Sequence, residues 1–249
     1  MALCVVGYGD PFAFNKDEIL LNPSASHWFG TDRLGRDLFS RVIAGAKNSL
    51  VIGVLSAAIA SLIGLIVGVT AGYFKGGADK TIVAAIDLFL TFPTFFLLLA
   101  LVSYMDANMF LLIVVISVTG WMGTARMIRS EAFSIGSKPF IKILQTANAP
   151  LWKIVFKYYA PLLAPIFLVG FAIGASGAIL AESALSFLGL GIAPPEMSWG
   201  SLLAEGKALI DIAWWVSFFP GLFIFAVAFL LLILSDYLQQ RFNSREALS

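Results

Sequence analysis

The chain has 249 residues, of which 59% are hydrophobic and 12% charged, with 22 Phe and 22 Gly. Such a balance is foreign to water-soluble domains and belongs to a chain whose solvent is lipid. One Cys and one His exclude a disulfide framework and a structural zinc site, and a net charge of +1 carries no signature of a nucleic-acid partner.

In chain order, the opening MALCVVGYGDPF is apolar only over Met1–Val6. It lacks a basic leader and is too short to cross a bilayer, so it reads as the stub of a truncated first helix. Next comes HWFGTDRLGRDLFSRVIAGAKNSL, where Asp32 is expected to cap an amphipathic pre-membrane helix with Leu34, Leu38, Val42 and Ala46 on one side. An interfacial helix and a merely solvated charged face both fit this pattern.

A hydrocarbon core of roughly 30 Å needs about 20 apolar residues in a helix. Five stretches qualify, near residues 49–73, 82–104, 109–127, 162–181 and 214–235, predicting an all-α polytopic bundle. The division expected is an outer-side segment at 1–48, a transmembrane domain at 49–236 containing a cytoplasmic loop at 129–158, and a cytoplasmic tail at 237–249. Gly64, Gly68 and Gly72 form a small-residue stripe that admits another helix at close range, and Gly170, Gly174 and Gly177 form a second.

The second span carries Asp87 and Pro93. A carboxylate inside a membrane is a proton or ion site or a helix-tying acceptor; near the interface, with water or a loop lysine in reach, Asp87 is assigned the anchoring role. Pro93 is expected to kink its helix. Glu182 ends the fourth span, and the apolar segment behind it, with Ser186, Gly189, Gly191 and Pro194-Pro195, suits a turn dipping back along an outer pathway mouth or an ordinary packed loop. Trp199, Trp214 and Trp215 fall where an interfacial aromatic belt is expected.

Orientation follows from the cations. Lys75, Lys80, Arg126, Arg129, Lys138, Lys142, Lys153, Lys157, Arg241 and Arg245 gather on the side of the Ser130–Pro165 stretch, which is therefore cytoplasmic. The remaining Lys16, Arg33, Arg36, Arg41, Lys47 and Lys207 lie on the other side, most of them among acidic residues. Within the cytoplasmic loop, Phe140, Ile141, Leu144 and Ala147 share one side of a helical turn while Lys138, Lys142 and Gln145 lie elsewhere. A helix seated in a partner's groove and a helix lying on the membrane surface both have this pattern. No phosphate-binding glycine loop, zinc-protease motif or serine elbow occurs, so neither catalysis nor a bound cofactor is expected.

Several blocks, taken in order, resemble the permease subunits of binding-protein-dependent ABC importers, in particular the second permease of the dipeptide, oligopeptide and nickel group. These are His27 with Gly30-Thr31-Asp32 and Leu34-Gly35-Arg36-Asp37; Asp87 and Phe92-Pro93; Trp121, Ala125-Arg126 and Arg129; and Phe219-Pro220-Gly221. The most characteristic block joins Glu182, Leu185–Gly191, Pro194-Pro195 and Ser198-Trp199-Gly200. The resemblance covers nearly the whole chain.

It implies a type I importer permease fold in the cytoplasmic membrane of a bacterium or archaeon. The implied partners are a second permease, two ATPase subunits and an extracytoplasmic substrate-binding protein, in a lipid bilayer. It further implies alternating access driven by a coupling helix in the cytoplasmic loop, with Phe140, Ile141, Lys142, Leu144, Ala147 and Asn148 as the coupling residues. The implied cargo is a di- or oligopeptide, with nickel or a metal chelate as the alternative. An ion-coupled carrier using Asp87 and Glu182, and a membrane scaffold that transports nothing, are the rivals. The loop departs from the family pattern: Lys142-Ile143-Leu144 stand where Glu-Ala-Ala is usual, and Asn148 replaces the Gly that follows. Asn is the commonest substitute for Gly in a left-handed turn.

Overall fold

The computed structural model of the protein describes residues 9–105 and 107–246, and the long elements among them are all helices. The expected stub at Met1–Val6 lies outside the described residues. Among the described residues, four helical runs are long and apolar enough to span a membrane, and a fifth span results if one bent pair is counted as a single crossing.

The first, α1 (Leu38–Phe74), is continuous. The separate pre-membrane helix expected before it is instead its opening turns, because nothing between Leu38 and Leu50 breaks the helical hydrogen-bond ladder. Its cap is Asp37, whose Oδ2 accepts from Ser40 N and Ser40 Oγ, each at 2.8 Å. Asp32, the expected cap, has a different task. Its Oδ1 accepts from Leu34 N (2.8 Å) and Arg36 N (3.0 Å), closing a turn in which Gly35 sits at φ 70°. A side chain at Gly35 would collide with the Asn15 carbonyl, so the turn needs glycine twice over.

Positive φ at Lys75 and Gly76 ends α1 and starts α2 (Gly76–Thr91). Pro93 then separates α2 from α3 (Thr94–Ser103), and the two are bent by 76°, a sharper break than the kink expected of a continuous helix. Asn108 opens α4 (Met109–Ser137), its Oδ1 accepting from Leu111 N at 2.9 Å. Past α5 (Pro139–Thr146) the chain runs helically from Leu151 to Phe187, as α6 (Leu151–Ile154), a π turn (Val155–Tyr159) and α7 (Ala160–Phe187). The π turn precedes Pro161, which has no N–H for an ordinary helical bond, so the local widening has an identifiable cause. After α8 (Trp199–Lys207), α9 (Trp215–Glu246) carries helix through residues expected to form a tail.

Contacts divide the chain into two compact units. One comprises Met1–Val54, Leu99–Val115 and Gly177–Phe229; the other comprises Leu55–Leu98, Ile116–Ser176 and Leu230–Ser249. In the second unit the glycine stripe of α1 lies directly on α4. A methyl group added at Gly64 would stand 2.9 Å from the Trp121 carbonyl, at Gly68 2.7 Å from the Ala125 carbonyl, and at Gly72 2.9 Å from the Arg129 carbonyl. Backbone-to-backbone approach of this kind substitutes for the hydrophobic effect, which cannot drive helices together in lipid. The other glycine stripe is only partly used: Gly170 faces Thr124 and Gly174 faces Ala57, but Gly177 faces open space. Beside this seam Ile128, Ala132, Ile135, Ile141, Ile154, Tyr159 and Leu163 form a buried cluster.

Candidate functional site

The helix α5 is placed by local chemistry at both ends. Pro139 occupies its first turn, where a missing N–H costs nothing. Its C-terminus closes through Asn148 at φ 51°, with Asn148 N donating to Gln145 O (3.1 Å) and Ala149 N to Leu144 O (3.0 Å). This paired closure is a Schellman motif, normally built on glycine, and Asn148 supplies its left-handed residue.

Burial sorts the expected coupling residues into two groups. Ile141 is fully buried in the cluster above and Leu144 packs against it, so these two tether α5 to its own unit. Phe140, Lys142 and Ala147 are exposed, as is Ile143, which stands 68% exposed and was not among the expected coupling residues. Ile143 was missed because helical spacing shows that a short helix has an apolar side, while two apolar sides of unlike fate look the same in sequence. Phe140 also meets Tyr158, their ring centroids 6.1 Å apart.

The intramembrane acids are engaged by the chain's own side chains. Asp87 pairs with Arg126 of α4 rather than with a loop lysine, and both remain about half exposed. About two turns earlier on α2, Asp79 accepts Arg129 at two oxygens, with Arg129 Nη2 at 2.7 Å from Asp79 Oδ2. Asp79 is a partner the sequence reading did not single out. Pro93 lies at the sharp bend after this ladder.

In the first unit, Glu182 is fully buried. Ser186 Oγ donates to its Oε1 at 2.7 Å, and Ser49 and Ser183 hydroxyls lie 3.4 and 3.5 Å from its Oε2. Ser49 Oγ in turn accepts from Trp199 N (3.0 Å), while Trp199 Nε1 donates to Val42 O (2.9 Å). The segment after α7 folds back on that helix's end, with Leu190 N donating to Leu185 O (2.9 Å), Gly189 at φ 84° and Gly191 pressed against Ser186. The aromatic-belt expectation is therefore corrected for two of its three residues. Trp199 is 1% exposed, and Trp215, 3% exposed, donates Nε1 to Thr31 O at 3.1 Å; only Trp214 stands outward. Indole N–H groups with buried carbonyl acceptors make these tryptophans internal fasteners.

A charged network in the same unit escaped the sequence reading. Arg41, 2% exposed, forks onto Glu205 with Nη1 at 2.7 Å from Oε2 and Nη2 at 3.0 Å from Oε1, and Nη1 also reaches buried Asp32. Arg36 joins through Asp32 Oδ2 (2.7 Å) and Glu205 Oε2 (3.3 Å). His27 sits apart, with Nδ1 3.0 Å from Asp37 Oδ1 and Nε2 3.5 Å from Glu18 Oε2. Spacing within the chain could join Asp32 to Arg36, but Glu205 lies too far along the sequence to show itself as their partner.

Long apolar helices, a proline-broken span and a short helix left with an uncovered apolar edge define a polytopic helical membrane protein. The fold is shared with a chain of the solved structure of inward-facing conformations of the MetNI methionine ABC transporter, at a TM-score of 0.69 and 18% identity, over 82% of this chain and 97% of that one. Residues 64–245 match the family of binding-protein-dependent transport system inner membrane components, and the chain belongs to that family. It is 37% identical to the dipeptide transport system permease protein DppC of Bacillus subtilis, over 90% of this chain and 71% of that protein. It is 36% identical to the oligopeptide transport system permease protein OppC of Mycobacterium bovis (90% and 75% covered). To the glutathione transport system permease protein GsiD of Pectobacterium atrosepticum it is 32% identical (93% and 77% covered).

Proposed function

We propose that this chain is the pathway subunit of an ATP-driven importer of short peptides in the cytoplasmic membrane of a bacterium or archaeon. It would pair with a second permease, two cytoplasmic ATPase subunits and an extracytoplasmic binding protein, and hydrolyse no ATP itself. The observation that carries the reading is the split of α5: Ile141 holds the helix in its own core while Phe140 and Ile143 face outward beside Lys142. An apolar edge flanked by a cation fits a groove with an acidic rim on an ATPase, the charge complement of the usual arrangement. Force applied there would pass into Ile128 and Ala132 of α4 through Ile141, and along the α1–α4 glycine seam, so the helices would move as rigid bodies.

Peptide cargo is supported by relatives from three organisms, which are dipeptide, oligopeptide and glutathione transport system permeases. The segment from Glu182 to Trp199 would meet the binding protein. An ion-coupled carrier would need Asp87 or Glu182 free to exchange a cation, and one is paired with Arg126 while the other is enclosed by serines. The test is uptake of a labelled dipeptide into vesicles holding the whole complex. Import requires ATP and both ATPase subunits; import that persists without them and follows an imposed proton gradient refutes the proposal.

A further inference from the structure

One cavity of the second unit has the composition of a ligand site. It measures about 390 Å³ and is lined by Glu131 of α4, Pro161, Pro165 and Val169 along α7, and Gln239 and Phe242 of α9. That volume lies in the range of about 300–1,000 Å³ typical of small-molecule sites, which are largely apolar with a few convergent polar groups. Here those groups are one carboxylate and one carboxamide. Unlike Asp79 and Asp87, which have arginine partners, and Glu182, which has serine hydroxyls, Glu131 has no hydrogen-bond or ion-pair partner among the described residues. The backbone adds a third polar group. Proline at position 165 has no N–H to offer the carbonyl of Pro161, the residue four positions earlier, and both line the cavity.

The wall therefore presents acceptors and a negative charge, and the group it lacks is a compact cation with several N–H bonds. We propose that this cavity receives the protonated amino terminus of the peptide in transit, with Glu131 as its counter-ion and the Pro161 carbonyl and Gln239 as further contacts. A primary ammonium has three donors, which matches these acceptors, and charge-assisted bonds to a carboxylate are the strong kind needed to replace its lost hydration. The apolar remainder, Val169 and Phe242 among it, accepts side chains of varied shape, as a peptide carrier of broad range requires. The peptide's own carboxylate is repelled by Glu131, which orients the cargo amino end first toward this wall.

This inference rests on the peptide-import reading, and the experiment separates the two. Vesicles carrying the complete importer are supplied with a dipeptide bearing a free amino terminus, and peptide imported per ATP hydrolysed is compared for the native chain, Glu131→Gln and Glu131→Asp, each normalised to copurified second permease. Glu131→Gln is expected to lower the ratio about tenfold, the worth of one hydrogen bond to a charged group, and Glu131→Asp to recover most of it. Native-level import by Glu131→Gln overturns the site. Loss of the second permease from the Glu131→Gln complex also overturns it and makes the carboxylate a subunit contact. A native complex that hydrolyses ATP yet imports no dipeptide overturns the peptide reading itself.

Discussion

Replacing Gly68 by alanine adds a single methyl group to the α1–α4 seam where the facing carbonyl comes nearest. That methyl would lie 2.7 Å from the Ala125 carbonyl oxygen and 2.8 Å from Ile128 Cβ. Ordinary contacts are about 3.5–4.0 Å, so one helix must retreat by at least about 0.8 Å. Neither obstacle can swing away: one is backbone, the other a β-carbon, and both residues are fully buried. Two effects compete. Alanine is the better helix former by about 0.5–1 kcal/mol, while overpacking a tight contact costs about 1–3 kcal/mol. Crowding wins, and Gly68→Ala should lose about 0.5–2 kcal/mol net. Gly123, also in a helix, has nothing within 4 Å of its would-be methyl, so Gly123→Ala retains only the propensity gain and should stabilise by about 0.5–1 kcal/mol. Equilibrium unfolding of the purified chain in mixed micelles, titrated with sodium dodecyl sulfate, measures both. A Gly68→Ala chain at least as stable as the native one refutes the argument that this stripe is a backbone contact.

Other outcomes follow from the same geometry. Asn148→Gly should leave the amount of copurified ATPase unchanged, whereas Asn148→Val, which resists left-handed backbone, should cost about 1–2 kcal/mol of local stability and reduce capture of the ATPase. Ile143→Asp should abolish ATP-dependent uptake with little change in thermal stability, while Ile141→Ala, which empties part of a buried cluster, should cost about 2–5 kcal/mol in the unfolding titration. Arg41→Met removes the buried fork that ties Asp32 to Glu205 and leaves Arg36 as the cation between the two carboxylates, so it should cost about 1.5–3 kcal/mol, read as loss of folded chain in the membrane fraction. Arg41→Lys should rescue only part of it, because an ammonium cannot fork onto both Glu205 oxygens.

Hydrophobic run length alone determined that the chain is a helical membrane protein, because a bilayer of fixed thickness asks the same question of each stretch of sequence. The glycine spacing likewise announced a close-packing face on α1, since helical periodicity is local, and Pro93 announced a bend, although its 76° break is sharper than the kink expected. Asn148 was readable for the same reason: a left-handed helix end is a local conformational demand. Tertiary structure alone decided which apolar residues of α5 turn inward, because Ile141 and Ile143 differ only in what stands opposite them. It also decided that Trp199 and Trp215 are internal fasteners, that Asp87 belongs to Arg126, and that Glu205 completes the Arg41 network. Pairings between residues scores of positions apart depend on how helices cross, and helix crossing is a property of packed surfaces that no single stretch of sequence contains.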